Sequence, residues 1–123
     1  MSFPIADPGT ITEFHAHIYY DPATTRDAAA RLRERIAARF GEVRIGSWHD
    51  APVGPHLTAM YQVLFAPEKF AELVPWLMLN REGLDILVHP SSGDTYDDHI
   101  HYGIWLGEKL ALNEPQLRCY RKR

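Results

Sequence analysis

Seven histidines stand at positions 15, 17, 49, 56, 89, 99 and 101 of a 123-residue chain, and four of them form His-x-His pairs, His15 with His17 and His99 with His101. A neutral imidazole offers a ring-nitrogen lone pair to Fe(II), Zn, Cu or Ni, and near neutral pH it also takes up and returns protons. Metal binding and acid–base work are therefore the chemistries these residues suit. Asp94, Asp97 and Asp98 place carboxylates beside the second pair, and histidine plus carboxylate with open positions is the donor set of non-haem Fe(II) oxygenases. Each cluster also has a plain reading: exposed strand histidines without function for the first, a solvated loop, DDHIHYG, for the second. His49 beside Asp50 reads as a surface pair.

The first pair lies in FHAHIYY, residues 14–20, which alternates as a strand. Successive strand side chains take opposite faces, so His15, His17 and Tyr19 share one side, with Phe14, Ala16, Ile18 and Tyr20 on the other. DPATT at 21–25 ends that strand. A helix over about 25–40 follows, with Ala29, Leu32, Ile36 and Phe40 as its apolar stripe, Thr24 as N-cap and Gly41 as stop. EVRIGSW (42–48) and LTAMYQVLF (57–65) read as strands around a Pro- and Gly-rich loop at 50–56. APEKFAELVPWLMLN reads as a second helix, burying Phe70, Leu73, Val74 and Leu77, with Pro75 expected to bend or restart it. LDILV (84–88) is a fourth strand ending at His89-Pro90.

The order β-α-β-β-α-β predicts an α+β, ferredoxin-like plait: a four-stranded antiparallel sheet with two helices on one face and a loop-rich C-terminal extension able to fold back over the other. In such a plait the first strand is central, between the third and fourth. His89 is then a neighbour of His15 or His17, and distant sequence positions can share one site.

Composition narrows the partners. The chain is 46% hydrophobic and 24% charged with a formal net charge of −3, which fits one domain over residues 1–123 and gives no basic surface for nucleic acid or anionic membrane. The basic tail RCYRKR is too short to change this. Cys119 is the single cysteine, no apolar stretch approaches a membrane span, and the N-terminus lacks a leader pattern, so the expected setting is the cytoplasm. Phosphate-loop, dinucleotide-binding, nucleophile-elbow and His-Glu-x-x-His patterns are absent. Trp48, Trp105, Tyr19 and Tyr61 are candidates to line an aromatic pocket, with core packing as the alternative and Trp76 assigned to the core. Arg44, Lys109 and Arg118 are candidates to pair with a substrate carboxylate.

FHAHIYY, PVGPH (52–56), HPSSGD (89–94), DDH (97–99) and IWLGEKLALN (104–113) occur in an order and spacing that resemble the DOPA 4,5-dioxygenase family. The resemblance covers about residues 13–113 and implies a small, ferredoxin-like, usually dimeric enzyme. Its activity would be non-haem Fe(II) extradiol cleavage of a catechol such as DOPA or caffeate by O2. The matching positions are His15, His17, His56, His89 and His99, whereas His101 matches none. Ser92 stands where the family pattern carries threonine. An extradiol enzyme needs metal ligands, a base to take a catechol proton and an acid to return one. The expected metal shell is His15 or His17 with His89 and a further histidine, His99 foremost, which leaves His56 and the unused strand histidine, or His99 itself, for proton transfer. Tyr19, Trp48, Tyr61 and Arg44 are the substrate-binding candidates, and zinc is a competent substitute for iron. The contrasting reading is a dimeric plait that binds an aromatic ligand or a metal without turnover. A cofactor-free monooxygenase would not need so many histidines.

Overall fold

The computed structural model describes residues 4–121; the first three residues of the N-terminal leader and the last two of the basic tail lie outside them. Nine regular elements follow a one-turn 3-10 segment at Pro8–Thr10: β1 (Glu13–Tyr19), α1 (Arg26–Arg39), β2 (Arg44–Ile45), β3 (Met60–Phe65), α2 (Phe70–Asn80), β4 (Ile86–Ser91), α3 (Thr95–Ile100), β5 (Ile104–Leu106) and α4 (Glu114–Cys119). The strands form one antiparallel sheet in the order β2-β3-β1-β4-β5. As the element order predicts, β1 is central, with His15 opposite His89 on one side and His17 opposite Gln62 on the other.

One sheet face carries Ala16, Ile18, Val63, Ile86 and Val88, and α1 and α2 cover it with Ala29, Leu32, Ile36, Leu73, Val74 and Leu77. All of these are essentially fully buried. Burial of each larger aliphatic side chain contributes roughly 1.5–3 kcal/mol, so the pleat of β1 is locked with its apolar residues under the helices. His15, His17 and Tyr19 are thereby forced to the opposite face.

Several local expectations are corrected. Thr25, not Thr24, occupies the N-cap of α1, and its hydroxyl accepts from the Asp21 amide instead of capping the helix. β2 is two residues long because only Arg44 and Ile45 find partners on β3. α2 runs through Pro75 unbroken, preceded by a 3-10 turn at Pro67–Lys69. Pro75 and Ala71, whose carbonyl the proline leaves free, are exposed, so water can satisfy it. β4 does not end at His89-Pro90 but continues to Ser91. β5 pairs only with Ile86–Val88, so Pro90 sits where that edge has no partner strand and its missing donor costs nothing.

The C-terminal third is more regular than expected. It supplies a fifth strand and two short helices, and DDHIHYG is mostly helix α3, not a loop. It does fold back over the second sheet face: Trp105 stacks on Tyr19 with ring centroids 5.8 Å apart, and Leu110 and Leu112 pack with Tyr19, Met60 and Leu87. No helix among the described residues is long and apolar enough to cross a membrane.

Candidate metal centre

Five histidines converge under this covering. β1 contributes His15 and His17, β4 contributes His89, and α3 brings His99. His56 arrives from the loop before β3, its backbone held by bridges to Val53 and Leu112. Gly54 in that loop has φ +56°, the left-handed conformation that glycine adopts freely. Asp94 is the N-cap of α3, and its carboxylate accepts from the Asp97 amide at 2.9 Å. The buried Asp98 carboxylate takes the Ser92 amide and hydroxyl, tying the helix to the end of β4.

The rings are close-packed: His17 and His56 centroids lie 4.1 Å apart, His89 and His99 4.0 Å, and His15 and His89 5.0 Å. Nε2 of His17 and Nε2 of His89 are 2.9 Å apart. Two sets each bring one ring nitrogen per residue within 4.8 Å of the others, His15–His17–His89 and His17–His56–His99. His17 belongs to both.

Hydrogen bonds to oxygen orient most of the rings. Nδ1 of His89 lies 2.9 Å from the Pro90 carbonyl and Nδ1 of His99 lies 2.8 Å from the Thr95 carbonyl. A carbonyl only accepts, so both Nδ1 atoms carry the proton and both Nε2 atoms keep a lone pair. His17 must then donate from Nε2 to His89. Its Nδ1 is buried with no partner among the described residues, a condition that costs about 1–3 kcal/mol and clusters at functional sites. His15 Nε2 pairs with Glu13 at 2.9 Å, and Glu13 is held from its other side by Arg44 at 2.7 Å.

Burial, reinforced by neighbouring imidazoles, favours the neutral form of His17, His56, His89 and His99. It holds His17 well below the ordinary histidine range, His56 down to about 4, His89 down to about 3, and lowers His99. Tyr19, also buried, is pushed above its usual value. The His15 hydrogen bond foremost, together with Arg44, keeps the Glu13 carboxyl low, against its partial burial.

The donor set fits a transition-metal ion. Neutral imidazoles present lone pairs once the His17 proton moves from Nε2 to its unpartnered Nδ1, and two nitrogens each about 2.1 Å from one ion and at right angles stand about 3 Å apart, the separation of the His17–His89 pair. The carboxylate on His15 and the carbonyl on His89 are the partners that commonly orient metal-bound histidines. Beside the cluster opens a cavity of about 690 Å³ lined by His15, His17, His56, Gln62, Thr95 and His99, with Tyr120 and Arg121 at its C-terminal side, a volume in the range of small-molecule sites.

Not every expected residue arrives there. Tyr61 shares a face with Ile18 and donates its hydroxyl to the Ala29 carbonyl under α1, and Trp48 packs edge-on against Tyr61 and Tyr20. Both are thus on the helix side, placed by strand register away from the cavity. Arg44 is exposed and bound to Glu13. His101 pairs with Asp97 on the surface, and Arg118 pairs with Glu114 within α4. Glu13, Gln62 and Arg121 went unnoticed in the sequence; the alternation of MYQVLF around the apolar Tyr61 and Val63 was the available signal for Gln62.

A family model described as the Dopa 4,5-dioxygenase family matches residues 14–116. The chain belongs to that family. A Botryotinia fuckeliana relative called an uncharacterized 21.2 kDa protein is 41% identical over 117 residues, covering 87% of this chain and 64% of that protein. A DOPA 4,5-dioxygenase of Amanita muscaria is 34% identical over 112 residues, covering 84% of this chain and 48% of that enzyme. The chain therefore spans between about half and two thirds of these curated relatives. A crystal structure from Nostoc punctiforme, provisionally named as a dioxygenase, superposes with a TM-score of 0.90 at 57% identity, over 94% of this chain and 98% of its own. Family and relative names point to a dioxygenase, and the buried histidine cluster gives this family member the donors to hold a metal.

Proposed function

We propose that the protein is an Fe(II)-dependent extradiol dioxygenase of ferredoxin-like fold that opens a catechol ring, with DOPA and caffeate as the first substrates to test. The observation that carries this reading is the buried His17–His89 pair at 2.9 Å with His15 alongside, where His15 and His17 line a cavity sized for a small aromatic. The ferredoxin-like assignment rests on the β4-β1-β3-β2 order inside the sheet, to which β5 adds an edge. The Amanita relative's name supports the substrate class.

In this reading His15, His17 and His89 would hold the ion. Bound there, Fe(II) supplies a common site for catecholate and O2 and a route for electrons between them. The net reaction needs no external reductant: the ring C–C bond beside the diol and the O–O bond break, and both oxygen atoms enter the product. His99, with its Nε2 lone pair open, takes a catechol hydroxyl proton. Packing of Tyr19, Trp105, Leu110 and Leu112 keeps water from one side of the cluster. A homodimer belongs to the same reading; the exposed Tyr102 and Ile104 beside the outer edge of β5 support it, and light scattering measures it. A cytoplasmic setting is in keeping with the free Cys119.

The test is anaerobic reconstitution with Fe(II), then admission of air in the presence of L-DOPA or caffeate while O2 and the visible spectrum are recorded. One O2 consumed per catechol with a yellow ring-opened product, lost in His89→Ala, is the expected result. Catechol binding without O2 uptake by the iron-loaded, folded protein overturns it in favour of a binding module.

A further inference from the structure

Tyr19 and His56 form a buried pair whose chemistry differs from that of the other histidines. The Tyr19 hydroxyl lies 2.8 Å from Nδ1 of His56, and no other hydrogen-bond partner reaches that hydroxyl among the described residues. Tyr19 is 3% exposed and His56 4%. Two arrangements satisfy the distance. If His56 donates from Nδ1, the phenol proton is left buried without an acceptor, the state that folded proteins avoid. If Tyr19 donates, the phenol proton and the His56 Nδ1 are satisfied together, and His56 lines the cavity. A neutral imidazole has one N–H, so the proton of His56 must then reside on Nε2.

We propose that Tyr19 is a positioning residue that fixes the His56 proton on Nε2, so that His56 presents a hydrogen-bond donor to the cavity and is withheld from the metal. The contrast with its neighbours is built into their partners. Backbone carbonyls force Nδ1–H on His89 and His99 and so open Nε2 as a lone pair, whereas a hydroxyl, able to donate, does the reverse at His56. Of the two histidine sets that share His17, the one containing His56 is thus chemically disfavoured: the His17 proton can move to its unpartnered Nδ1 and free Nε2, whereas the His56 Nδ1 is held by the Tyr19 hydroxyl and its proton stays on Nε2. On the catechol reading, which this part alone depends on, His99 is the proton acceptor and His56 the donor that returns a proton to the opening ring. The stack of Trp105 on Tyr19 fixes the phenol ring that directs the bond.

Nitrogen NMR of the full chain with labelled histidine, recorded without metal and with Zn(II) as a diamagnetic probe, reads the tautomer independently of turnover. The expected result is a protonated Nε2 and an unprotonated Nδ1 on His56, retained when Zn(II) shifts the rings of His15, His17 and His89. Tyr19→Phe, which removes only the hydroxyl, then moves His56 toward the Nδ1–H form while circular dichroism remains native. Should that variant fail to fold, Zn(II) competition with a chromophoric chelator decides the matter: His56→Ala keeps the affinity within about threefold, where loss of a true ligand or its orienting partner costs about 10–100-fold or more. An Nδ1–H tautomer in the native chain, an unaltered tautomer in a folded Tyr19→Phe, or a large loss of Zn(II) affinity in His56→Ala overturns the proposal. Absence of O2 uptake alone would touch the dioxygenase reading and leave the tautomer assignment standing.

Discussion

Glu13 stands between Arg44 and His15, accepting from both. With one oxygen bound to the guanidinium, its other oxygen fixes the His15 ring and leaves the second imidazole nitrogen for an ion. Glu13→Gln keeps the shape but removes the charge that raises ligand basicity, so metal affinity should fall about tenfold in chelator competition, with native stability nearly unchanged because both partners are partly exposed. Affinity unchanged in Glu13→Gln would place His15 outside the metal set. At this scale the histidines were legible because residue type alone names the chemistry, and a central first strand places His89 beside His15. Trp48 and Tyr61 were misread because an aromatic ring suits a pocket and a core equally well. Which it joins depends on whether Tyr61 pairs with Ile18 or with His17, and pairing register is not written in either residue.

Elements deliver those residues, and α3 does so with six residues and few internal hydrogen bonds. Asp98 supplies what the helix cannot: its carboxylate takes the Ser92 amide at 3.1 Å and the Ser92 hydroxyl at 2.5 Å, so the residue before His99 is anchored to the end of β4. Asp98→Ala leaves the Ser92 amide without this acceptor and should lower stability by about 1–3 kcal/mol in urea titration. It should also weaken metal-dependent turnover by releasing His99. Full activity in that variant would mean that α3 holds His99 without help. The helices α1 and α2 were legible from their apolar stripes, which encode burial directly. α3 was not, since DDHIHYG carries no stripe and folds as a helix through the Asp94 cap and contacts with β4. The passage of β4 through Pro90 was hidden for a related reason: a proline is admissible there only because β5 stops at Val88, a fact about another strand.

For the whole molecule, burying four neutral histidines couples folding to acidity. His17, His56, His89 and His99 all titrate lower in the native state than the ~6.5 of an unfolded chain. Below about pH 6.5 the unfolded chain therefore binds protons that the native protein refuses, and stability falls with pH until the folded values, about 4 for His56 and about 3 for His89, are passed. The stability of the metal-free protein in urea titration should drop between pH 7 and pH 5, by on the order of 2 kcal/mol each for His56 and His89, and a flat stability over that window would show the cluster to be protonated or open to water. An antiparallel sheet with a central first strand was expected from the element sequence, as was a C-terminal third able to fold back over its second face; the fifth strand and the short helices of that third were not, because the last thirty residues pack against surfaces made by earlier ones. The central strand carries a further implication. Even-numbered residues from Phe14 to Ile18 face the helices and odd-numbered residues from His15 to Tyr19 face the cluster, so inheritance of stability and inheritance of chemistry run on interleaved letters of a single seven-residue word. Substitutions can drift in one register without touching the other, but a single-residue insertion or deletion exchanges the two and forfeits both together.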